Sequence, residues 1–214
     1  MDILSLFCFC GVLPFFILVF FGIVIGILYY DRRKHAEAWR KAAQRAGLAF
    51  HPPGWILGRP TLDGDWHGRA VRIYTITRGG GGRTGSSSTY MRIEMAARPP
   101  GNASLSISER NFFSQLGRAG AEIPLGDAEF DARFVTRGHP TAFVRGVLSA
   151  RELRRLLLQA RYVNIEMMGE AMLRYQQLNV ETDAETLLFL LALLFDLAEA
   201  VEREAQDFPH EVGG

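Results

Sequence analysis

From Ile3 to Tyr30 the chain carries no charged side chain. At about 1.5 Å of helical rise per residue, that apolar run exceeds the roughly 30 Å hydrocarbon core of a bilayer, so the pattern predicts a transmembrane helix over residues 1–30. Asp2 stands where a cleaved leader would carry cations, and Tyr29-Tyr30 stands where it would carry small residues, so a retained span is expected. Arg32-Arg33-Lys34 follow at once and predict that the C-terminal side faces the cytoplasm. Gly22 and Gly26 have the spacing that lets two helix backbones approach, and Pro14 is a kink position.

The pattern then turns charged and alanine-rich, and predicts a basic juxtamembrane helix within residues 31–50. Ala36, Trp39, Ala43 and Ala46 form one stripe, with Arg32, Arg33, Lys34, Arg40, Lys41 and Arg45 around it. Such a helix either lies on anionic headgroups or packs Trp39 onto the following domain. Gly47 reads as its stop.

His51-Pro52-Pro53-Gly54 is a breaker cluster that places the start of a folded domain, residues 51–208. Residues 59–62, 70–77, 90–97 and 103–108 read as strands, the second and third by strict alternation of apolar and polar positions. The connections are too short for crossover helices, so antiparallel pairing is expected. Residues 130–136 and 143–148 read as further strands, and residues 162–167 and 171–176 as a hairpin about Gly169. Ser149-x-x-Glu152 opens an amphipathic helix to about Arg161, and Thr182-x-x-Glu185 opens a last one to about Ala205. That last apolar stretch is too short to cross a bilayer, and residues 209–214 read as a flexible tail. The expected fold is α+β: a single N-terminal transmembrane helix followed by a cytoplasmic domain of antiparallel strands with two packed helices.

Composition narrows the chemistry. The 214 residues carry a formal net charge of +1, which gives no overall field for nucleic acid. Both cysteines, Cys8 and Cys10, lie in the apolar run, so the domain has no disulfide, thiol nucleophile or thiolate metal site. Both lysines, Lys34 and Lys41, lie just after it. Gly80 and Gly85 have the spacing of a phosphate loop, but Ser86 stands where the lysine should be and a strand follows in place of a helix. Residues 79–88 therefore read as a hairpin tip. No paired histidines, Gly-x-Ser-x-Gly elbow or cofactor motif occurs, so no catalytic residue and no cofactor is expected.

Two clusters remain. Asp63, Asp65 and His67 could face one way in an extended segment and offer a corner for a divalent cation; the Asp-Gly and His-Gly pairs read instead as a polar turn. Arg151, Arg154, Arg155 and Arg161 make the first domain helix basic, either as an anion-binding patch or as a solvated face complemented by the acidic last helix.

Residues 127–204 resemble a domain of unknown function in bacterial proteins with one or two N-terminal transmembrane segments. The resemblance rests on Asp127, Phe130-Asp131-x-x-Phe134-x-Thr136, Leu148-Ser149-Ala150 before a leucine-rich helix, a short hairpin and a terminal apolar helix. The region from Gly58 to Gly68 is also similar. It implies a membrane-anchored cytoplasmic α+β domain at a bacterial inner membrane and carries no functional residue. The function expected is a binding or scaffolding module beside the lipid bilayer. One alternative is an enzyme or lipid-handling domain for a phosphorylated or lipidic substrate. The other is a small subunit of a membrane complex, or a homodimer, paired through Gly22 and Gly26.

Overall fold

The computed structural model describes residues 15–23, 26, 36–54, 58–79, 87–110, 120–168 and 171–207. Eight strands form one sheet: β1 (Ala49–His51), β2 (Thr61–Trp66), β3 (Arg69–Gly79), β4 (Ser87–Ala96), β5 (Ser104–Glu109), β6 (Phe134–His139), β7 (Asn164–Met168) and β8 (Met172–Leu178). Their spatial order is β1-β2-β3-β4-β8-β7-β5-β6, and every neighbouring pair is antiparallel. The last hairpin in sequence, β7–β8, thus fills the centre and joins the two earlier halves.

Period-2 alternation explains how the sheet divides its faces. Ile73, Ile93, Tyr175 and Ile165 sit side by side across β3, β4, β8 and β7, and all are buried. One register step away, Arg72, Glu94, Arg174 and Glu166 line up on the opposite face. There Arg174 Nε donates to Glu94 Oε1 at 2.9 Å, and the Arg72 guanidinium lies 5.3 Å from the centre of the Tyr74 ring.

Helices cover the apolar face. They are α1 (residues 36–46), α2 (Ala128–Arg133), α3 (Thr141–Val147), α4 (Arg151–Gln159) and α5 (Ala184–Asp207). The buried residues Leu187, Leu190, Leu191, Leu194, Leu197 and Val201 of α5 follow helical spacing and belong to the same core as the strands. Arg69 ties this helix to β3 by a fork of two bonds to Glu202, 2.6 and 3.0 Å long, and Glu202 also accepts the Arg98 backbone N–H.

Several expectations need correction. The single-pass transmembrane reading of residues 1–30 does not hold: among the described residues no helix is long and apolar enough to cross a membrane. Within the expected span the longest described helical run is 15–23, which at about 1.5 Å per residue reaches less than half the hydrocarbon thickness. The rest of that span, apart from Gly26, lies outside the described residues. Helix α5 has the length, but Asp196, Glu199, Glu202 and Glu204 interrupt it and its apolar side is in the core. Residues 143–148 are not a strand: Phe143, Val144 and Val147 are buried at the i, i+1, i+4 spacing of α3. Residues 130–136 divide into the end of α2 and the start of β6, with the Asp127 side chain accepting the Phe130 N–H at 3.2 Å as N-cap. The packed helices thus exceed the expected two.

Candidate functional site

Helix α1 supplies the first wall of the site. Trp39 is fully buried, and its indole N–H donates to the Glu181 carbonyl oxygen at 3.0 Å, while Ala38, Ala42, Ala43 and Ala46 join the core. This apolar stripe is used inside the domain. Glu181 then organises the start of α5: its Oε1 accepts the backbone N–H groups of Thr182 and Asp183 at 2.8 and 3.0 Å. Asp183 is the N-cap, accepting the Thr186 backbone N–H at 2.9 Å and the Thr186 hydroxyl at 2.8 Å. Those bonds, the hydroxyl foremost, hold the Asp183 carboxyl below the usual range.

Opposite this helix start, the turn after α4 is clamped from three sides. Arg133 donates to the carbonyl oxygens of Leu158 and Ala160. Glu109 accepts both Arg133 Nη2, at 2.9 Å, and the Tyr162 backbone N–H, at 3.1 Å. The Tyr175 hydroxyl, rising from the buried face of β8, lies 2.9 Å from the Arg161 carbonyl oxygen and 2.8 Å from Gln177 Oε1. Burial, reinforced by the charges of Glu109 and Glu181, pushes the Tyr175 phenol far up, so it is a protonated donor at any physiological pH.

Between the clamped turn and the start of α5 lies a cavity of about 600 Å³, within the size range of small-molecule sites. Gln159, Arg161 and Tyr162 line it from the turn, Tyr175 and Gln177 from the sheet. Glu181, Asp183, Glu185, Thr186 and Phe189 line it from the α5 side. Tyr162 is 56% exposed and has φ of 57°, a left-handed conformation that a bulky side chain adopts only under constraint. The clamp is that constraint, and it presents an aromatic ring at the rim.

The residues singled out from sequence distribute differently. The β2–β3 hairpin turns at His67 and Gly68, with φ of 53° and 83°, and Asp65 Oδ1 accepts the Gly68 N–H at 2.8 Å. Asp63 pairs with His51 of β1 at 2.6 Å, and the His67 ring lies 5.4 Å from that of Phe195. The three side chains therefore do not converge, and among the described residues no group of three or more His, Cys, Asp or Glu could hold a metal ion. Arg154 is turned inward: it donates to Asp127 at 3.0 Å and to the Leu148 and Ser149 carbonyls at 2.6 and 2.8 Å. Arg155 pairs with Glu152; Ser149 and Glu152 form no capping box because Ala150, not Ser149, is the N-cap. Arg151 and Arg161 are exposed, and of the four arginines of this stretch only Arg161 lines the cavity.

Arg40 lies over the Phe50 ring at 5.3 Å, Arg45 pairs with Glu185, and Lys41 is exposed. Arg32, Arg33 and Lys34 lie outside the described residues, as do residues 80–86 of the glycine-rich tip. Among the described residues, nothing outside its own helix turn packs against Gly22 or Gly26. Sequence reasoning missed Tyr162, Tyr175, Gln177 and the clamp of Glu109 and Arg133. One signal was readable: no glycine follows α4 before Gly169, so the left-handed position after that helix falls to another residue.

No family model matches the sequence, and no curated protein matches it. Among solved structures, the fold is similar to that of the mycobacterial trehalose monomycolate transport factor A, TtfA, with a TM-score of 0.54 at 11% sequence identity, over 78% of this chain and 94% of that one.

Proposed function

We propose that this chain is a binding module in lipid handling, with the cavity between the α4 turn and the start of α5 as its ligand site. The observation that carries the reading is the fold shared with a protein named for trehalose monomycolate transport over 94% of that protein's chain. The site supports it with aromatic surface at Tyr162 and Phe189 beside fixed polar groups at Gln177, Glu181 and Asp183. An apolar surface with a few convergent polar groups is what an amphiphilic ligand needs. The hydroxyls that line the cavity belong to Tyr162, Tyr175 and Thr186, and that of Thr186 is already bonded to the Asp183 carboxylate.

The test is purification of the full-length chain from gently solubilised cells, with mass spectrometry of the lipids and proteins that accompany it. A lipid class enriched well above its share of the total extract, and depleted in a Tyr162→Asn variant, is the expected result. A stoichiometric protein partner with lipids at their bulk proportions would overturn the lipid reading and leave a scaffold.

A further inference from the structure

We infer that the cavity selects an uncharged, polyhydroxylated headgroup, a sugar, over a phosphorylated or cationic one; this rests on the lipid-handling reading and names the part of the ligand the site would recognise. The first argument is electrostatic. Glu181, Asp183 and Glu185 line the cavity with carboxylates, against which stand the lining Arg161 and, just behind, Arg45 paired with Glu185. A phosphate entering there would face three carboxylates with a single uncommitted guanidinium, which is the wrong sign for an anion site.

A cation is also poorly served. Glu185 is paired with Arg45, Arg161 adds a second cation to the lining, and Asp183 caps the N-terminus of α5, where the Thr186 hydroxyl and backbone N–H bond it, so little unmatched negative charge is left for a cation. What the cavity offers in excess is acceptor oxygen: the carboxylates, plus the amides of Gln159 and Gln177. A ligand rich in O–H donors and carrying no charge uses those oxygens without disturbing the ion pairs. O–H···O⁻ bonds of this kind are short and roughly twice as strong as neutral ones.

The second argument is shape. Sugar rings have one face of C–H groups and edges of hydroxyls, so they suit an aromatic ring flanked by acceptors. Tyr162 supplies such a ring from a backbone held by Glu109, Arg133 and Tyr175, and Phe189 supplies another from α5. Holding Tyr162 in a left-handed conformation is a cost of folding that the cavity rim would explain. The charged face of the sheet offers no comparable site, because its Arg and Glu residues answer one another across the strands.

The experiment is isothermal titration of the full-length chain, held in an amphipathic polymer free of sugar-based detergent. The probes are maltose, hexyl maltoside, hexyl phosphate and hexyltrimethylammonium. We expect hexyl maltoside to bind at least tenfold more tightly than the phosphate or ammonium probe. Tyr162→Asn, which keeps a residue tolerant of the left-handed conformation, should weaken it at least tenfold. Glu181→Gln, which keeps the acceptor for the two backbone N–H groups, should weaken it by a smaller factor.

Equal or tighter binding of either charged probe would overturn the headgroup inference and leave lipid handling standing. Hexyl maltoside binding unchanged by both substitutions would overturn the assignment to this cavity. If no probe binds, the inference falls, and the lipid-handling reading is judged separately by the lipids that accompany the purified chain.

Discussion

Replacing Trp39 tests whether helix α1 is part of the folded unit that shapes the cavity. The side chain is 0% exposed in the core, and its indole N–H reaches the Glu181 carbonyl at 3.0 Å. Trp39→Ala removes the whole ring and leaves a void in the core, which costs about 3–5 kcal/mol. Trp39→Phe keeps most of the apolar volume and removes one hydrogen bond, leaving the carbonyl without its partner, for about 1–3 kcal/mol. For a domain of this size each kcal/mol moves Tm by roughly 2–4 °C, so the alanine variant should lose about 10 °C and the phenylalanine variant about 5 °C. Thermal unfolding of the full-length chain followed by circular dichroism reads both. A Tm within about 2 °C of wild type for Trp39→Ala would refute the packing of α1, and with it the Glu181 position that the cavity depends on.

Other outcomes follow from the same contacts. Tyr162→Gly should raise stability by about 1 kcal/mol in urea unfolding, because glycine adopts a φ of 57° without strain, while the ligand site loses its ring. Gly138→Ala should destabilise by about 1–3 kcal/mol or more: a β-carbon there would lie 2.2 Å from the Ser104 carbonyl oxygen of the neighbouring strand, and neither backbone can yield. Glu202→Gln breaks the fork with Arg69, whose side chains are 30% and 12% exposed, and should cost about 1–3 kcal/mol at pH 7. The Arg69 bond, offset by burial, holds the Glu202 carboxyl below its ordinary 4.5, so the native fork stabilises fully above that pH and is lost as pH falls through the depressed value. Urea midpoints of wild type and Glu202→Gln should therefore differ at pH 7, and the difference should shrink as the pH falls through that depressed value.

Local pattern made the hairpins legible. Alternation over 70–77 lies within β3, that over 90–97 covers β4 to its end at Ala96, and the last helix, read as 182–205, is α5 at Ala184–Asp207. What escaped depends on contacts between distant residues. The pairing of β8 with β4 joins positions 76 to 86 apart, from Ala96 with Met172 to Met91 with Gln177, and nothing in either strand alone announces it. Strand β1 is three residues long, too short for any periodic signal. Residues 143–148, read as a strand from a six-residue window, instead present Phe143, Val144 and Val147 as a helical face against which α5 packs.

The arginines show why composition could name residues without naming roles. Arg133, Arg154 and Arg69 each donate to backbone carbonyls, and each also pairs with a carboxylate. A guanidinium has five donors in a rigid fork, so one side chain can close a turn and pair a charge at once, which a lysine cannot do as well. In a domain without lysine after residue 41 and without cysteine, arginine is the residue that joins irregular backbone to the sheet. The consequence for the site is direct. Arg133 anchors Glu109, Glu109 fixes the Tyr162 N–H, and the ring at the cavity rim is positioned by a cation that never touches the cavity. The geometry makes Arg133 a structural brace, and the recognition we propose falls to acceptor oxygens and the constrained Tyr162.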